Sequence, residues 1–333
     1  MAELSRQPRT GRVGADEAPA DVAERPLQRA RRLDIIGHRN IYFAVSLLII
    51  IPGIVSILTR GFLLGIDFAG GNEFFLKFQN QATLTQVEAA VAAQNVDGTV
   101  QQTAAGTFVV RTIPLDPAHQ KKFTDAVQAQ AGALAGGQPQ AVNQVGPTIA
   151  RELIQNALIA IVAASTLILL YLTFRFRKVH GGWRAGFQFG GSALLALLHD
   201  VFVLTGIFSI LGGALGLRIG QIDSLFVTAV LTVVGFSVHD TIVVFDRVRE
   251  NLIAARSLTF EQVLNLSIMQ TAVRSIITSF TVVLVLLAML IFGGDTLRGF
   301  ILALLIGIVS GTYSSIFNAA PLLVVWRRLQ PVR

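Results

Sequence analysis

Residues 224–245 read SLFVTAVLTVVGFSVHDTIVVF, a run of 22 residues whose only strongly polar break is His239-Asp240. A membrane-crossing helix needs about 20 apolar residues, within a range of roughly 17–25. Five more stretches satisfy that length: Ile41–Leu58, Leu153–Phe174, Phe187–Leu211 (broken by His199-Asp200), Ser275–Phe292 and Gly299–Trp326, the last long enough to tilt or break near Asn318 and Pro321. Composition agrees. Hydrophobic residues make up 53% of the 333 and charged residues 14%, against roughly 25% charge in soluble proteins. So little charge does not dress a water-facing surface. The fold class is a polytopic α-helical membrane protein with six transmembrane helices.

The net charge of +7 collects at span ends, where Arg and Lys record topology rather than a nucleic-acid partner. The 175–186 loop holds Arg175, Arg177, Lys178 and Arg184, and the 247–274 loop holds Arg247, Arg249, Arg256 and Arg274. Arg29, Arg31, Arg32 and Arg39 precede the first span, and Arg327, Arg328 and Arg333 follow the last. The alternate loops carry only Arg218 and Arg298. Both termini are therefore expected in the cytoplasm, with residues 61–150 on the far side. Trp183 and Trp326 fall at the cytoplasmic ends, as interface aromatics do. No cleavable leader is expected, since the first 40 residues are polar and 1–28 lack any period.

The far-side segment reads as a small α+β unit. Strands are expected at Asn72–Phe78, twice within Thr99–Ile113 around a turn at Ala105-Gly106, and at Gln140–Val145; helices at Thr83–Gln94 and Asp116–Leu134. The order βαββαβ indicates a ferredoxin-like sandwich. The chain thus divides into a tail (1–40), a first helix (41–59), the exoplasmic α+β domain (60–152), five further helices (153–326) and a tail (327–333). The 247–274 loop reads as an amphipathic helix lying on the cytoplasmic interface, with Leu252, Phe260, Val263, Leu264 and Leu266 as its apolar stripe.

Chemistry concentrates on two acids inside spans, Asp200 and Asp240. A carboxylate at mid-bilayer costs about 2.5–3.5 kcal/mol even on insertion scales, so each must be neutral, paired or hydrated. Asp240 lies six residues, about 9 Å, inside the Asp246-Arg247 edge. Arg274 opens the next span from the same side, at a similar depth. A carboxylate–guanidinium pair that breaks and reforms would couple ions to helix movement. The plainer readings are a snorkelling Arg274 and a purely structural Asp240 tether. His199 and His239 each precede an acid, and helix spacing does not say which member of each pair faces inward. With no cysteine, thiol chemistry and disulfides are excluded. No metal spacing, nucleotide loop or other cofactor motif is present, no hydrolase triad, and no enzymatic activity is expected. Glycines four apart, Gly182, Gly186, Gly190 and then Gly307, Gly311, are a helix-packing signal.

Three motifs, in order, carry a resemblance. GIDFAGG at 65–71, with Gly65, Asp67, Gly70 and Gly71, resembles the Gly-Ile-Asp-Phe-x-Gly-Gly motif of the SecD/SecF family of protein-export membrane proteins. DTIVVFDRVREN at 240–251 resembles that family's fourth-span signature, and Arg274 with Thr278 and Ser279 its Arg-Thr-x-x-Thr-Ser pattern. The likeness covers roughly residues 35–326. It implies the resistance-nodulation-division architecture in a bacterial inner membrane. It also implies pairing with SecD, action beside the SecYEG channel on preprotein clients, and use of the proton motive force late in export. YajC and YidC are further partner candidates. Asp240 and Arg274 take the family's proton-transfer positions, with His239, Thr241, Asp200, His199, Thr278 and Ser279 as supporting polar residues. His239 stands where Asn is commoner and Ser275 where Thr is, and some members use sodium, so the ion stays open. The competing readings are half of a small hydrophobic solute exporter, and a non-transporting chaperone or scaffold.

Overall fold

The computed structural model describes residues 34–331 except 97, 104, 180 and 256. The expectations for the 1–28 tail, Arg29, Arg31, Arg32, Arg256 and Arg333 lie outside those residues. Helix α1, Arg39–Arg60, ends where Gly61 turns to φ 66° and its N–H returns to the Ile57 and Ser56 carbonyls. The chain then touches the far end of the bundle, with Gly65 N–H on Ile222 O at 2.8 Å. It makes one helical turn, Ile66–Ala69, and enters the α+β domain.

That domain holds β1 (Gly71–Leu76), α2 (Leu84–Ala92), β2 (Gly98–Gln102), β3 (Phe108–Thr112), α3 (Pro117–Ala131) and β4 (Ala141–Val145). The sheet is antiparallel in order β2-β3-β1-β4, the split βαβ arrangement expected from the sequence. Local chemistry sets the ends. Thr83 and Gln86 form a capping box on α2, and Asp116 accepts from His119 N–H at α3. The second helix stops at Gly132 (φ 113°), short of the expected Leu134. Phe74, Leu76, Phe108 and Val110 alternate inward onto Val87 and Phe123 of the two helices. Burying each of these large side chains contributes about 1.5–3 kcal/mol. Gly71 sits at φ 124°, and a Cβ there would lie 2.2 Å from Thr112 O, so the second glycine of the pair is a steric requirement of the β1–β3 ladder.

The opposite sheet face docks on the membrane helices. Arg111 Nε donates to Glu73 Oε1 at 3.0 Å, and Arg218, from the loop above the bundle, comes within 3.6 Å of the same oxygen. Arg111 also donates to Gln221, and Gln101 Nε2 to Gly216 O at 3.2 Å. This half-dry polar contact fixes the domain directly on the loop between the third and fourth spans.

The remaining spans are α4 (Pro147–Phe176), α5 (Gly182–Phe208), α6 (Ser224–Ala254), α7 (Phe260–Phe292), and α8 (Arg298–Ser314) continued by α9 (Ala320–Leu329). A π-helical stretch, Ser209–Ala214, extends α5, and another, Ser315–Ala319, joins α8 to α9. Pro321 explains the second. It has no N–H for the helix ladder and crowds the carbonyl of Phe317, so the last span widens by a residue rather than breaking. Six helices are thus long and apolar enough to cross a membrane. The α6 window is 50% buried within the chain, those of α4 and α7 only 6% and 17%. Helices α5, α6 and α8–α9 form the centre, and α1, α4 and α7 present apolar faces outward.

Close glycine contacts build that centre. A Cβ on Gly186 would meet Thr173 O at 2.3 Å, one on Gly307 Val233 Cγ2 at 2.2 Å, and one on Gly311 Ser237 Cβ at 2.9 Å. Gly182 takes no part in packing; it lies at φ 63° in open space beside the turn into α5.

The 247–274 segment differs from the sequence expectation. It is not a separate interfacial helix. Helix α6 continues to Ala254, a short turn follows, and α7 begins at Phe260 behind a Thr259–Gln262 capping box. Val263 and Leu264 are buried in the bundle core, with Leu252 and Phe260 packed against it. Asn251 Nδ2 donates to Ser267 Oγ and Gln270 Oε1, each at 2.9 Å, pinning the two helices together. The apolar stripe read from the sequence is real, but a helical hairpin consumes it.

Candidate functional site

The close approach of α8 to α6 brings hydroxyls onto Asp200. Ser237 Oγ (α6) donates to Asp200 Oδ2 at 2.6 Å, Ser314 Oγ (α8) to Oδ2 at 2.7 Å, and Ser310 Oγ to Oδ1 at 2.7 Å. His199 Nδ1 lies 3.0 Å from Oδ1. Asp200 is 1% exposed, so three serine donors from two neighbouring helices and the adjacent His199 ring enclose a carboxyl group cut off from water. Ser310 and Ser314 share a face of α8 at i, i+4 spacing, which is why one turn of helix supplies both. The serines were not among the residues expected to matter. The i, i+4 pair, and Ser237 three residues before Asp240, were the available signals, but serine at tight helix contacts is ordinary.

Asp240, one turn beyond Ser237 on α6, is 3% exposed and differently placed. Its Oδ2 has no hydrogen-bond partner among the described residues. The hydroxyls of Ser275 and Ser279 on α7 face it, and Ser279 accepts from Thr312 of α8 at 2.6 Å. His239 points outward, 71% exposed, its Nδ1 4.0 Å from Asp240 Oδ1. Thr241 is buried. It donates to Ser237 O at 3.1 Å and shares a 3.0 Å hydrogen bond with Ser315 Oγ, which links the Asp240 turn to the hydroxyls around Asp200.

Arg274 is exposed on the outer face of α7 and makes no ion pair among the described residues, so the Asp240–Arg274 pair is not formed within this chain. Thr278, on the same face, donates to Arg274 O at 2.9 Å. Around them Val273, Ile276 and Ile277 are 54–64% exposed. An arginine and a threonine thus stand in an apolar face that no described residue covers.

The 65–71 motif lies away from both acids, at the domain junction. Asp67 Oδ2 accepts from Ser224 N–H at 2.9 Å and from the Ser224 hydroxyl, while Asp223 Oδ1 accepts from Phe226 N–H at 2.9 Å. Two carboxylates therefore cap the start of α6, where the helix dipole favours negative charge. A Cβ at Gly65 would lie 2.4 Å from Gln221 Nε2. The motif seats the domain on α6. Beside it a cleft of about 410 Å³ is lined by Glu73, Phe75, Arg218, Asp223, Asp295 and Arg298 among others. Burial there pushes the Asp223 carboxyl above its usual range and the Arg218 guanidinium below its own. A carboxyl whose folded value is raised is penalised as pH climbs through that value. Asp223→Asn keeps the cap and removes the penalised charge. It should raise the melting temperature at pH 8, where the charge is present, more than at a pH below 3.8, where the carboxyl is protonated folded and unfolded alike, by a few degrees, read by thermal unfolding in detergent; a lower melting temperature at pH 8 contradicts this.

An α-helical bundle with two buried acids and a ferredoxin-like domain on one end defines a multi-pass membrane protein. Residues 128–329 match the family described as protein export membrane protein SecD/SecF, C-terminal, and residues 55–82 match the SecD/SecF GG motif. The chain belongs to the SecD/SecF family of protein-export membrane proteins. It is 44% identical over 304 residues to the protein translocase subunit SecF of Thermobaculum terrenum, covering 88% of this chain and 94% of that one. With the subunit SecF of Pseudomonas aeruginosa it shares 36% over 299 residues, 89% and 92% of the two chains. The crystal structure of SecDF from Thermus thermophilus superposes with a TM-score of 0.77 at 32% identity, over 89% of this chain and 39% of SecDF. SecDF in its super-membrane-facing form gives 0.63 over 90% and 39%. The chain therefore spans well under half the length of SecDF.

Proposed function

We propose that this chain is a SecF-type subunit of the Sec protein-export machinery. It pairs with a SecD-type chain in the bacterial inner membrane and uses a transmembrane ion gradient to drive late translocation of preproteins. It works beside the SecYEG channel, with YajC and YidC as accessory partners, and is not an enzyme. Asp240 is the ion-binding carboxyl. The observation that carries the reading is its unpartnered Oδ2, 3% exposed and facing the α7 hydroxyls, in a chain of this family. A structural tether uses its hydrogen-bonding capacity; this carboxyl keeps part of it free for an ion. Supporting the SecD-type partner are Arg274 and Thr278 on an uncovered apolar face, since an arginine in lipid costs about 2.5–3.5 kcal/mol. The comparisons favour neither the solute-exporter nor the scaffold alternative.

Co-purification in mild detergent tests the pairing: a SecD-type chain is expected in stoichiometric yield, and a monodisperse, export-competent complex without one contradicts it. The orientation proposed from the basic loops puts both termini in the cytoplasm and 61–150 outside. In this cysteine-free chain, a cysteine placed at Gln128 should react with an impermeant reagent in intact cells and one at Ser257 should not; the reverse pattern overturns the topology.

A further inference from the structure

Where α4 turns into α5, the side chains of Arg177, Lys178 and Arg184 make no ion pair or hydrogen bond with any described residue. The sequence from 153 to 199 contains no Asp or Glu that could serve them. Elsewhere at this end of the bundle, Arg175 and Arg249 pair with Asp246, Arg247 with Glu250, and Arg328 with Glu261. Helix α5 adds to the imbalance. No side chain caps its start and its first turn holds no acid, whereas Asp223 caps α6 and Thr259 caps α7. Arg184 in that turn opposes the helix dipole, and the free N–H groups of a helix start favour an anion. Beside the turn lies a hollow of about 490 Å³ lined by Trp183, Arg184, Phe187, Gln188, Gln330 and Pro331. Trp183 and Phe187 are exposed, and Trp326 meets the Phe187 ring edge-on at 5.8 Å. The Arg177 guanidinium lies 4.1 Å from the Phe174 ring centre and 5.2 Å from that of Trp183. Gln188, in the wall, is 4% exposed. Its Nε2 donates to Gln330 O at 2.8 Å, and its Oε1 is buried with no partner among the described residues.

We propose that this corner is a binding site for an anionic phospholipid whose headgroup carries hydroxyls, the chemistry of phosphatidylglycerol. The phosphodiester sits at the start of α5 between Arg184 and Arg177, with Lys178 adding charge. A headgroup hydroxyl donates to Gln188 Oε1, the acceptor that the chain leaves unused. The acyl chains follow Leu167, Leu170 and Phe174, spaced three and four apart on one exposed face of α4. Charge and depth together select a lipid. The cations stand where two apolar spans end, framed by exposed aromatic rings, which is where a bilayer places its phosphates. Binding requires only that the chain lies in a membrane, so it is independent of the ion-coupled reading above.

The chain has two tryptophans, Trp183 and Trp326, and both stand at this corner, so quenching of their fluorescence by brominated lipid reports binding there. The full chain is reconstituted in phosphatidylcholine vesicles containing a graded fraction of brominated phosphatidylglycerol, or of brominated phosphatidylcholine for comparison. The expected affinity for phosphatidylglycerol is at least about fivefold that for phosphatidylcholine, the effect of roughly one arginine near an anionic surface, and it should weaken at high salt. The double variant Arg177→Gln, Arg184→Gln should bring the ratio to within about twofold of unity, while Arg247→Gln, which alters a paired arginine at the same end, should leave it unchanged. Wild type should also prefer phosphatidylglycerol to phosphatidylmethanol, which has the charge without the hydroxyls, and Gln188→Leu should abolish that preference. Millimolar inorganic phosphate should not displace the lipid. Native mass spectrometry of the chain with its SecD-type partner, counting retained lipid, reads the same ratios in the complex. Equal affinity for phosphatidylglycerol and either comparison lipid in wild type overturns the proposal. So does a ratio unmoved by the double variant, the same loss in Arg247→Gln, or displacement by phosphate.

Discussion

Asp200→Ala should leave little or no folded chain in the membrane. Alanine removes the acceptor of three serine hydroxyls and the partner of the His199 ring, all in a part of the bundle without access to bulk water. A buried donor left unsatisfied costs about 1–3 kcal/mol. Three such hydroxyls, plus the void left by the carboxyl group, bring the loss to several kcal/mol, a large share of the roughly 5–15 kcal/mol that holds a typical protein folded. Some relief comes from Ser314, whose hydroxyl also reaches Gly311 O at 3.2 Å, whereas Ser237 and Ser310 have no second acceptor among the described residues. Asp200→Asn keeps one good acceptor and should fall between wild type and alanine. The checks are steady-state level in the membrane and thermal unfolding in detergent. An alanine variant melting within about 2 °C of wild type contradicts the three-helix clamp.

Arg274→Met should sharply reduce, by tenfold or more, both recovery of the SecD-type partner and gradient-driven preprotein release. The reason is position. Arg274 lies on the outer face of α7, among Val273, Ile276 and Ile277, with no ion-pair partner among the described residues. A guanidinium there is stable only if an incoming surface supplies acceptors. Methionine preserves much of the stem and the apolar contact while deleting the charge. Lysine keeps the charge and loses the planar fork, so Arg274→Lys should retain part of both activities. Wild-type pairing and release by the methionine variant would return Arg274 to the snorkelling role that its sequence position also allows.

Much of the architecture was legible because single-residue properties determine it. Length and apolarity mark the six spans, and caps at Thr83 and Asp116 with inward alternation at Phe74, Leu76, Phe108 and Val110 mark the βαββαβ domain. What the sequence concealed depends on neighbours. The apolar stripe through Val263 and Leu264 has the same period whether it meets lipid or another helix, and only packing shows that it closes a hairpin. The same limit hid the surroundings of Asp200. Helical period places Ser310 and Ser314 on one face, but not which acid they meet, 110 and 114 residues away. Of the two His-Asp pairs, the fold turns His199 inward onto its aspartate and His239 outward, a distinction that adjacent positions do not encode.

The account rests most heavily on Asp240, and one measurement addresses it most directly. Asp240→Asn keeps the size of the side chain and its hydrogen bonding, which across membrane helices averages about 0.6 kcal/mol, but removes the capacity to gain and lose a proton or to hold a cation by charge. The assay is late-stage preprotein release in membrane vesicles, with and without an imposed ion gradient, on variant protein shown to fold and to bring down its SecD-type partner. The account predicts normal assembly and gradient-independent release, with the gradient-driven increment gone. Release that still responds to the gradient at the wild-type level would contradict it and leave Asp240 as a structural link between helices.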